Sequence, residues 1–174
     1  MATKKLMAVL FGVLVILAWV LGSVLQAEAE TMNYKFYIWM IKADRVPIDD
    51  VEGHIVALAQ RGGFYVFENG EIATIKRVAM NDLINESGST LSYETIKFAD
   101  GSTIVLKGQG SGKGTATGAL GSTETTSKII KGTGRFEGIK GTQSAKAKAL
   151  PADKGEAGSK LYGEGTLAYT LPPK

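Results

Sequence analysis

Apolar and polar residues alternate in short segments along most of the chain, and turn signals separate these segments. After residue 30 the turn signals recur about every 8–15 residues, a spacing typical of all-β proteins. Segment 90–98 alternates most clearly, with Tyr93 on one face and Glu94 on the other. Apolar positions with the helical period of about 3.6 residues are hard to find in this part of the chain. The pattern therefore predicts an all-β domain.

About eight or nine strands are predicted. Their limits are 34–41, 54–60, 64–68, 71–80, 90–98, 103–107, 121–131, 142–150 and 162–171. Strand 34–41 is apolar on both faces, so it is either buried or covered on its outer face by a partner. The glycines at 62–63 are expected to end a strand, and segment 108–118 is expected to be an exposed loop or a frayed strand end. A closed barrel accommodates this number of strands, and a β-sandwich is the alternative.

Two kinds of connection are predicted between these strands. Asn69-Gly70 and Asp100-Gly101 are hairpin signals, and the first is expected to form a type I′ turn with positive φ at both residues. Segment 131–141 is different, because Phe136 and Ile139 lie three positions apart among glycines. That spacing suits one short helical or 3₁₀ turn that buries both side chains on one side. We expect this turn to close one end of the domain.

The N-terminus predicts export. Two lysines at positions 4–5 precede an uncharged apolar run over residues 6–25. Ala27 and Ala29 have the small-x-small spacing of a signal-peptidase site, so cleavage is expected after Ala29. The run is also long enough to span a bilayer, so an uncleaved anchor is the alternative.

Two regions follow from this interpretation: a signal peptide or membrane anchor over 1–29, and a single β-barrel domain over 30–174. The basic flank places the N-terminus in the cytoplasm in either case. The domain is therefore expected to be periplasmic or secreted, or to be anchored outside the cytoplasm. Contact with a membrane is expected only through residues 6–25, if they are not cleaved.

Composition limits the possible chemistry. The net charge is +3 with both signs interspersed, which does not suggest a nucleic-acid partner. The chain has no cysteine, and its single histidine cannot form a multi-histidine metal site. Segment 108–115 lacks the first glycine and the final Ser or Thr of a phosphate-binding P-loop. No metal and no cofactor are expected.

Several segments together resemble a known family. Segment 132–141 resembles the G-T-G-x-F-x-x-x-x-G signature of the allene oxide cyclase and dirigent superfamily. Segments 53–54, 61–62, 67–71 and 98–102 are similar to bacterial proteins with an allene-oxide-cyclase-like barrel, and the resemblance covers roughly residues 50–174. It implies an eight-stranded antiparallel β-barrel with an apolar lumen, often dimeric or trimeric. Family members include cyclases and dirigent proteins that steer radical coupling, but the plant cyclase's catalytic residues do not align with this chain.

The candidate site residues lie mainly on the 54–98 strands. His54 is a candidate general base that nearby carboxylates such as Asp50 could orient, although a hydrogen-bonded structural histidine is preferred. The charged side chains on these strands would be functional if they pointed inward, but the outward orientation is preferred. Tyr93 is favoured over Glu94 as a lumen residue. The predicted catalytic residues are His54, Arg61 and Tyr93, and the predicted ligand-binding residues are Phe64, Phe67, Glu68, Arg77 and Phe98.

Three functions remain open. The first is an exported barrel that binds a hydrophobic small molecule in its lumen. The second is an enzyme of the cyclase or isomerase type, which would fold an apolar substrate so that its reacting ends meet. The third is a structural envelope protein. An open apolar lumen would favour binding, an open lumen with inward His54 or Arg61 would favour an enzyme, and a filled lumen would favour a structural role.

Overall fold

The computed structural model describes residues 29–117 and 119–173. The predicted leader, with its apolar run and most of its cleavage site, lies outside the described residues. Residues Ala29–Leu171 form one compact unit. Within the described part of the chain, no helix is long and apolar enough to cross a membrane.

Eight strands form a closed antiparallel barrel in which each strand pairs with its neighbours in chain order and β8 returns to β1. The strands are β1 (Glu30–Pro47), β2 (His54–Phe67), β3 (Ile72–Ile84), β4 (Ser87–Lys97), β5 (Thr103–Gly114), β6 (Leu120–Thr133), β7 (Lys140–Leu150) and β8 (Lys160–Thr170). A short 3₁₀ helix, Gly134–Phe136, connects β6 to β7. The prediction of an all-β, eight-stranded antiparallel barrel is confirmed, and the sandwich alternative is wrong.

Two strands are longer than predicted because their glycines do not interrupt them. β2 continues through Gly62 and Gly63, and a Cβ at Gly63 would lie 2.3 Å from the carbonyl oxygen of Tyr37. β5 continues to Gly114, so of the two alternatives predicted for 108–118 the exposed loop is wrong for most of the segment, which is a strand end. A Cβ at Gly108 would lie 2.3 Å from the Ser127 hydroxyl. At these glycines, atoms of the neighbouring strand occupy the space that a Cβ would need. In the sequence alone, a glycine used in this way cannot be told from one that ends a strand.

The turn chemistry also differs from the prediction. At Asn69-Gly70 only Gly70 has a positive φ, of 84°, so the predicted type I′ geometry is wrong. The Asn69 side chain instead accepts a hydrogen bond of 3.0 Å from the Glu71 N–H. The two-residue turn with positive φ at both positions is Asn85-Glu86, at 51° and 61°. Left-handed backbone in a non-glycine residue costs about 1–2 kcal/mol, so this turn is held by its surroundings.

Aromatic side chains fill one end of the lumen, which we call the plug. Phe136 and Ile139 are buried, as predicted for the turn after β6. The Phe136 ring centroid lies 4.7 Å from that of Phe98, which in turn lies 5.5 Å from that of Phe67. Outside the plug, the Arg135 guanidinium covers the Phe136 ring at 4.8 Å. The prediction that this segment closes one end of the barrel is confirmed.

The outer wall has two different halves. Across β1 to β3 it exposes a cluster of aromatic side chains, where Tyr37 lies 6.2 Å from Trp39 and 6.1 Å from Phe64 between ring centroids. Trp39 and Phe64 are each 39% exposed. Across β6 and β7 the exposed outward side chains are mostly polar, including Thr126, Lys128, Ser144, Lys146 and Lys148. The outer face of β1 is therefore apolar and uncovered in the single chain.

Candidate functional site

The end of the lumen opposite the plug, which we call the mouth, contains a cavity of about 100 Å³. Small side chains, among them Ala57, Ala59 and Ala79, line part of its wall. Three arginines also border it, and these are Arg45, Arg61 and Arg77. Because alanines stand at inward positions where the plug end has phenylalanines, the mouth half of the lumen remains unfilled.

A wider concavity of about 1350 Å³ is bounded largely by outer-wall side chains, such as Lys35, Gln109 and Lys146. These side chains face away from the lumen, since they alternate with buried neighbours along their strands. We therefore place the candidate site in the smaller cavity at the mouth, where charged groups converge inside the wall.

Strand register brings three charged side chains into one row on the lumen face. Arg61 lies opposite Arg77 across β2 and β3, and Arg77 lies opposite Glu94 across β3 and β4. Arg61 donates from Nη1 to the carbonyl oxygen of Ser159, at 3.0 Å. Arg77 donates from Nη2 to the Thr125 hydroxyl at 3.4 Å, while its Nε is buried without a hydrogen-bond partner. The inward placement of Arg61 and Arg77 corrects the preferred outward orientation.

The two guanidiniums are incompletely compensated. Burial, and to a smaller extent the adjacent positive charge of Arg77, lower the pKa of Arg61 to about 10, while the negative charge of Glu86 opposes this fall. Arg61 therefore remains charged at neutral pH. Among the described residues, neither Arg61 nor Arg77 has an ion-pair partner within 4.0 Å. The arginines that do are Arg45 and Arg135. Arg45 is paired with Glu86 at the rim.

A buried polar network lies below the two arginines. The Tyr65 hydroxyl donates to Glu94 and accepts a hydrogen bond of 3.2 Å from Nε2 of Gln143. The Tyr34 ring stacks on that of Tyr65 with centroids 4.2 Å apart, and the Tyr34 hydroxyl is buried without a partner. Burial raises the pKa of the Glu94 carboxyl, while Arg77 and hydrogen bonds from Tyr65 and Gln143 oppose the rise. Burial also raises the pKa of Tyr65 well above its usual range.

Sequence reasoning selected the wrong residue of the Tyr93–Glu94 pair. Tyr93 is 44% exposed on the outer wall, where the Lys107 ammonium lies 5.6 Å from its ring centroid. Glu94 is 6% exposed and shares the inner face with Ile96 and Phe98. The prediction that Tyr93 lines the lumen is therefore wrong. The apolar pair at 96 and 98 was the signal that could have identified the inner face.

The remaining predicted residues do not gather at the mouth cavity. Phe64 and Glu68 face outward, since both are exposed and alternate with buried Tyr65 and Phe67. Phe67 and Phe98 are buried in the plug, away from the cavity. As ligand-binding residues of the lumen, Phe64 and Glu68 are therefore misplaced, while Phe67 and Phe98 belong to the packed end. Of the predicted set, only Arg61 and Arg77 line the cavity.

His54 lies at the start of β2, outside the cavity. Its Nδ1 lies 2.5 Å from an Asp50 carboxylate oxygen and its Nε2 lies 2.9 Å from one of Asp82. These hydrogen bonds raise the pKa of His54. Asp50 orients the ring, as the sequence allowed, but the imidazole is held between two carboxylates and does not meet Arg61. Among the described residues, no group of three His, Asp or Glu side chains is arranged to hold a metal ion.

No protein-family model and no curated protein matches the chain. The solved structures that are similar to it include two dirigent proteins. The pterocarpan synthase dirigent protein GePTS1 has a TM-score of 0.49 and 15% identity, over 86% of this chain and 94% of that protein. The pterocarpan synthase dirigent protein PsPTS1 has a TM-score of 0.48 and 14% identity, over 85% of this chain and 99% of that protein. Similarity at this level carries no argument about family or function, and the barrel rests on the strand pairing described above.

Proposed function

We propose that this protein is an exported barrel that binds a small molecule through the mouth half of its lumen. The observation that supports this proposal is the contrast between the two ends of the lumen: aromatic rings fill one end, and alanines leave about 100 Å³ at the other. A dry cavity of about 150 Å³ binds benzene, so this cavity accommodates a slightly smaller group at one end of a ligand. The rest of the ligand would extend out of the mouth. This unfilled half is the reason for preferring binding over a purely structural role.

The proposal is tested by native mass spectrometry of the protein purified from its host, with whatever N-terminus the host leaves on it. Organic extraction of the same sample follows. We expect a co-purifying small molecule at one per chain. Ala59→Leu fills the cavity and should abolish its capture, whereas Ala168→Leu adds the same volume on the outer wall and should not. An empty wild-type protein that also binds no added apolar probe would overturn the proposal. Sequencing of the mature N-terminus checks export, for which Glu30 is the expected first residue.

An enzyme of the cyclase or isomerase type is the second candidate, and the inward Arg61 and the buried Glu94 both favour it. It ranks second because Glu94 belongs to the buried network below the cavity and does not line the cavity itself. Because the pKa of this carboxyl is raised, its acid form persists to a higher pH than in an ordinary glutamate. In its acid form Glu94 could donate a proton to the carbonyl oxygen of a substrate that reaches past the two arginines and recover it later, while Arg77 stabilises the carboxylate left on Glu94. Glu94→Gln should then abolish conversion of the co-purified molecule without preventing its binding. Unchanged conversion by this variant would exclude that role.

We also propose that copies of this chain associate through the aromatic outer wall of β1 to β3. The aromatic cluster of Tyr37, Trp39 and Phe64 continues into exposed Leu58, Val78 and Met80, whereas the wall across β6 and β7 is polar. Contiguous apolar patches larger than a few hundred Å² usually mark interaction sites. Aromatic residues and methionine are also enriched in protein interfaces.

Analytical ultracentrifugation tests this association. We expect wild-type protein to sediment as more than a monomer at micromolar concentration, and Trp39→Lys with Phe64→Lys to sediment as a monomer. Ile130→Lys with Leu150→Lys places the same two charges on exposed side chains of the other half of the wall and should leave the assembly intact. A monomeric wild-type protein, or one that instead floats with lipid vesicles, would contradict self-association through this face.

A further inference from the structure

We infer that Arg61 and Arg77 form a subsite for a carboxylate group at the inner end of the mouth cavity. The inference rests on the proposed binding function and specifies the chemistry of its ligand: an organic monocarboxylate whose acid group enters the lumen first. It assigns the two arginines a role in recognition.

The first argument is that two like charges face each other with no carboxylate in ion-pair contact with either of them. Like charges directly opposite in adjacent strands are destabilising, and a buried charge is costly unless it is paired. Arg61 and Arg77 are directly opposite in β2 and β3, and the described residues provide neither with a carboxylate oxygen within 4.0 Å. An anion between them would remove both penalties.

The second argument is the number of unused donors. Each guanidinium has five N–H donors in a planar fork that matches a carboxylate. Arg61 uses one of these at the Ser159 carbonyl, and Arg77 makes one long contact with Thr125. The Arg77 Nε is buried and unpartnered. Hydrogen bonds with an ionised partner are roughly twice as strong as neutral ones, and the remaining donors of the two guanidiniums can bind a carboxylate.

The third argument is charge balance, which favours a monoanion over a phosphate. Three arginines and two glutamates surround the cavity and the network below it, and Arg45 is already paired with Glu86. The remaining pair of arginines faces a single acidic group, Glu94, and when that carboxyl is charged one negative charge is missing. A phosphate dianion would exceed that balance. Apolar neighbours such as Met40 and Leu161 then suit the hydrocarbon part of the ligand.

The experiment compares carboxylates with their neutral amides. The ligands are straight-chain carboxylates from butyrate to decanoate and the amides of equal length. Each is titrated at pH 7 into the protein purified from its host, and binding is measured by calorimetry. We expect the best carboxylate to bind roughly 10- to 100-fold more tightly than its amide, as a hydrogen bond to a charged group implies. Arg77→Gln should remove that preference, and Lys148→Gln, on the outer wall, should not.

The outcomes separate the two proposals. If carboxylate and amide bind equally, the anion subsite is overturned and binding in the lumen stands. If neither binds and no molecule co-purifies, both proposals fail. Should Arg77→Gln fail to fold, thermal unfolding of the wild-type protein decides the matter. The carboxylate must then raise the unfolding temperature by more than the amide, and equal shifts would refute the subsite.

Discussion

Replacing Glu94 by glutamine should stabilise the barrel at neutral and alkaline pH. The side chain is 6% exposed, accepts a hydrogen bond from Tyr65, and has a raised pKa because burial disfavours its charged form. Glutamine has nearly the same shape, is neutral at every pH, and offers an oxygen to the same Tyr65 donor. The substitution therefore removes a buried charge and keeps the packing and the hydrogen bond.

The size of the effect follows from opposing contributions. Replacing a whole buried ion pair by neutral residues is often stabilising by about 1–4 kcal/mol, whereas removing one member of a pair is destabilising. Glu94 has no basic nitrogen within 4.0 Å among the described residues, so its replacement breaks no close pair and follows the first case. The weaker hydrogen bond to a neutral acceptor and the lost attraction to Arg77 reduce this gain by about 1 kcal/mol. We therefore expect Glu94→Gln to stabilise the fold by about 1–3 kcal/mol at pH 8. With urea slopes of about 2 kcal/mol/M, the unfolding midpoint should rise by roughly 0.5–1.5 M.

The pH dependence gives the sign independently. A carboxyl whose pKa is raised in the folded state keeps its proton there after the unfolded chain has lost it, so wild-type stability falls as pH rises from 4.5 through the folded pKa. The stability of Glu94→Gln should not show this decrease with rising pH, and below pH 4 it should equal that of the wild type. Urea unfolding from pH 4 to pH 9 measures both proteins.

Glu124→Gln is the matched control, since Glu124 is exposed on the outer wall and should change stability by less than about 0.5 kcal/mol. The reasoning is refuted if the advantage of the wild type over Glu94→Gln grows as the pH rises. That result would mean that the charged carboxylate is stabilised in the fold.

Three further predictions concern the plug, the rim and the β3–β4 turn. Phe136→Ala should destabilise the fold by about 3–5 kcal/mol, because it empties the plug, while Ile130→Ala on the outer wall should cost under about 0.5 kcal/mol in the same thermal denaturation. By NMR titration, the ring of His54 should have a pKa above 6.5 that Asp82→Asn lowers, and the stability gained from its charged form should be lost as pH rises through that raised pKa. A His54 midpoint at or below 6.5 would contradict the two hydrogen bonds. In urea unfolding, Glu86→Gly should be more stable than Glu86→Ala by about 1 kcal/mol, because φ is 61° at this position and glycine adopts a positive φ without strain. Neither variant keeps the ion pair with Arg45, so the comparison isolates the backbone. Equal stabilities would argue against the left-handed backbone.

The barrel was predictable because strand alternation and turn chemistry are local properties. The plug was also predictable, since the three-residue spacing of Phe136 and Ile139 and the glycines around them lie within one segment. The errors in the strand limits arose where a glycine makes room for an atom of the neighbouring strand. Gly63 and Gly108 look like breaks in the sequence, yet each makes room for an atom from another strand.

The candidate site was less predictable because it depends on which face of each strand is inside. Alternation separates Tyr93 from Glu94 but does not identify the inner residue. Only the apolar residues farther along β4 do so. The position of Arg77 opposite both Arg61 and Glu94 depends on the register between strands. Arg61 and Arg77 were predicted to point outward because a buried charge is unfavourable. Functional sites are where that rule is expected to fail.

The pairing of β1 with β8 has a consequence for how the chain folds. The Tyr169 hydroxyl donates to a Glu30 carboxylate oxygen at 2.6 Å, although the two residues are 139 positions apart. Contacts of such long sequence separation form slowly, because a large loop must close before they contribute. The same strand supplies the Tyr169 ring beside Phe136, with centroids 6.3 Å apart. Arrival of β8 therefore completes the wall and the plug in one late step, and a chain without β8 would be left with two open sheet edges exposed to aggregation.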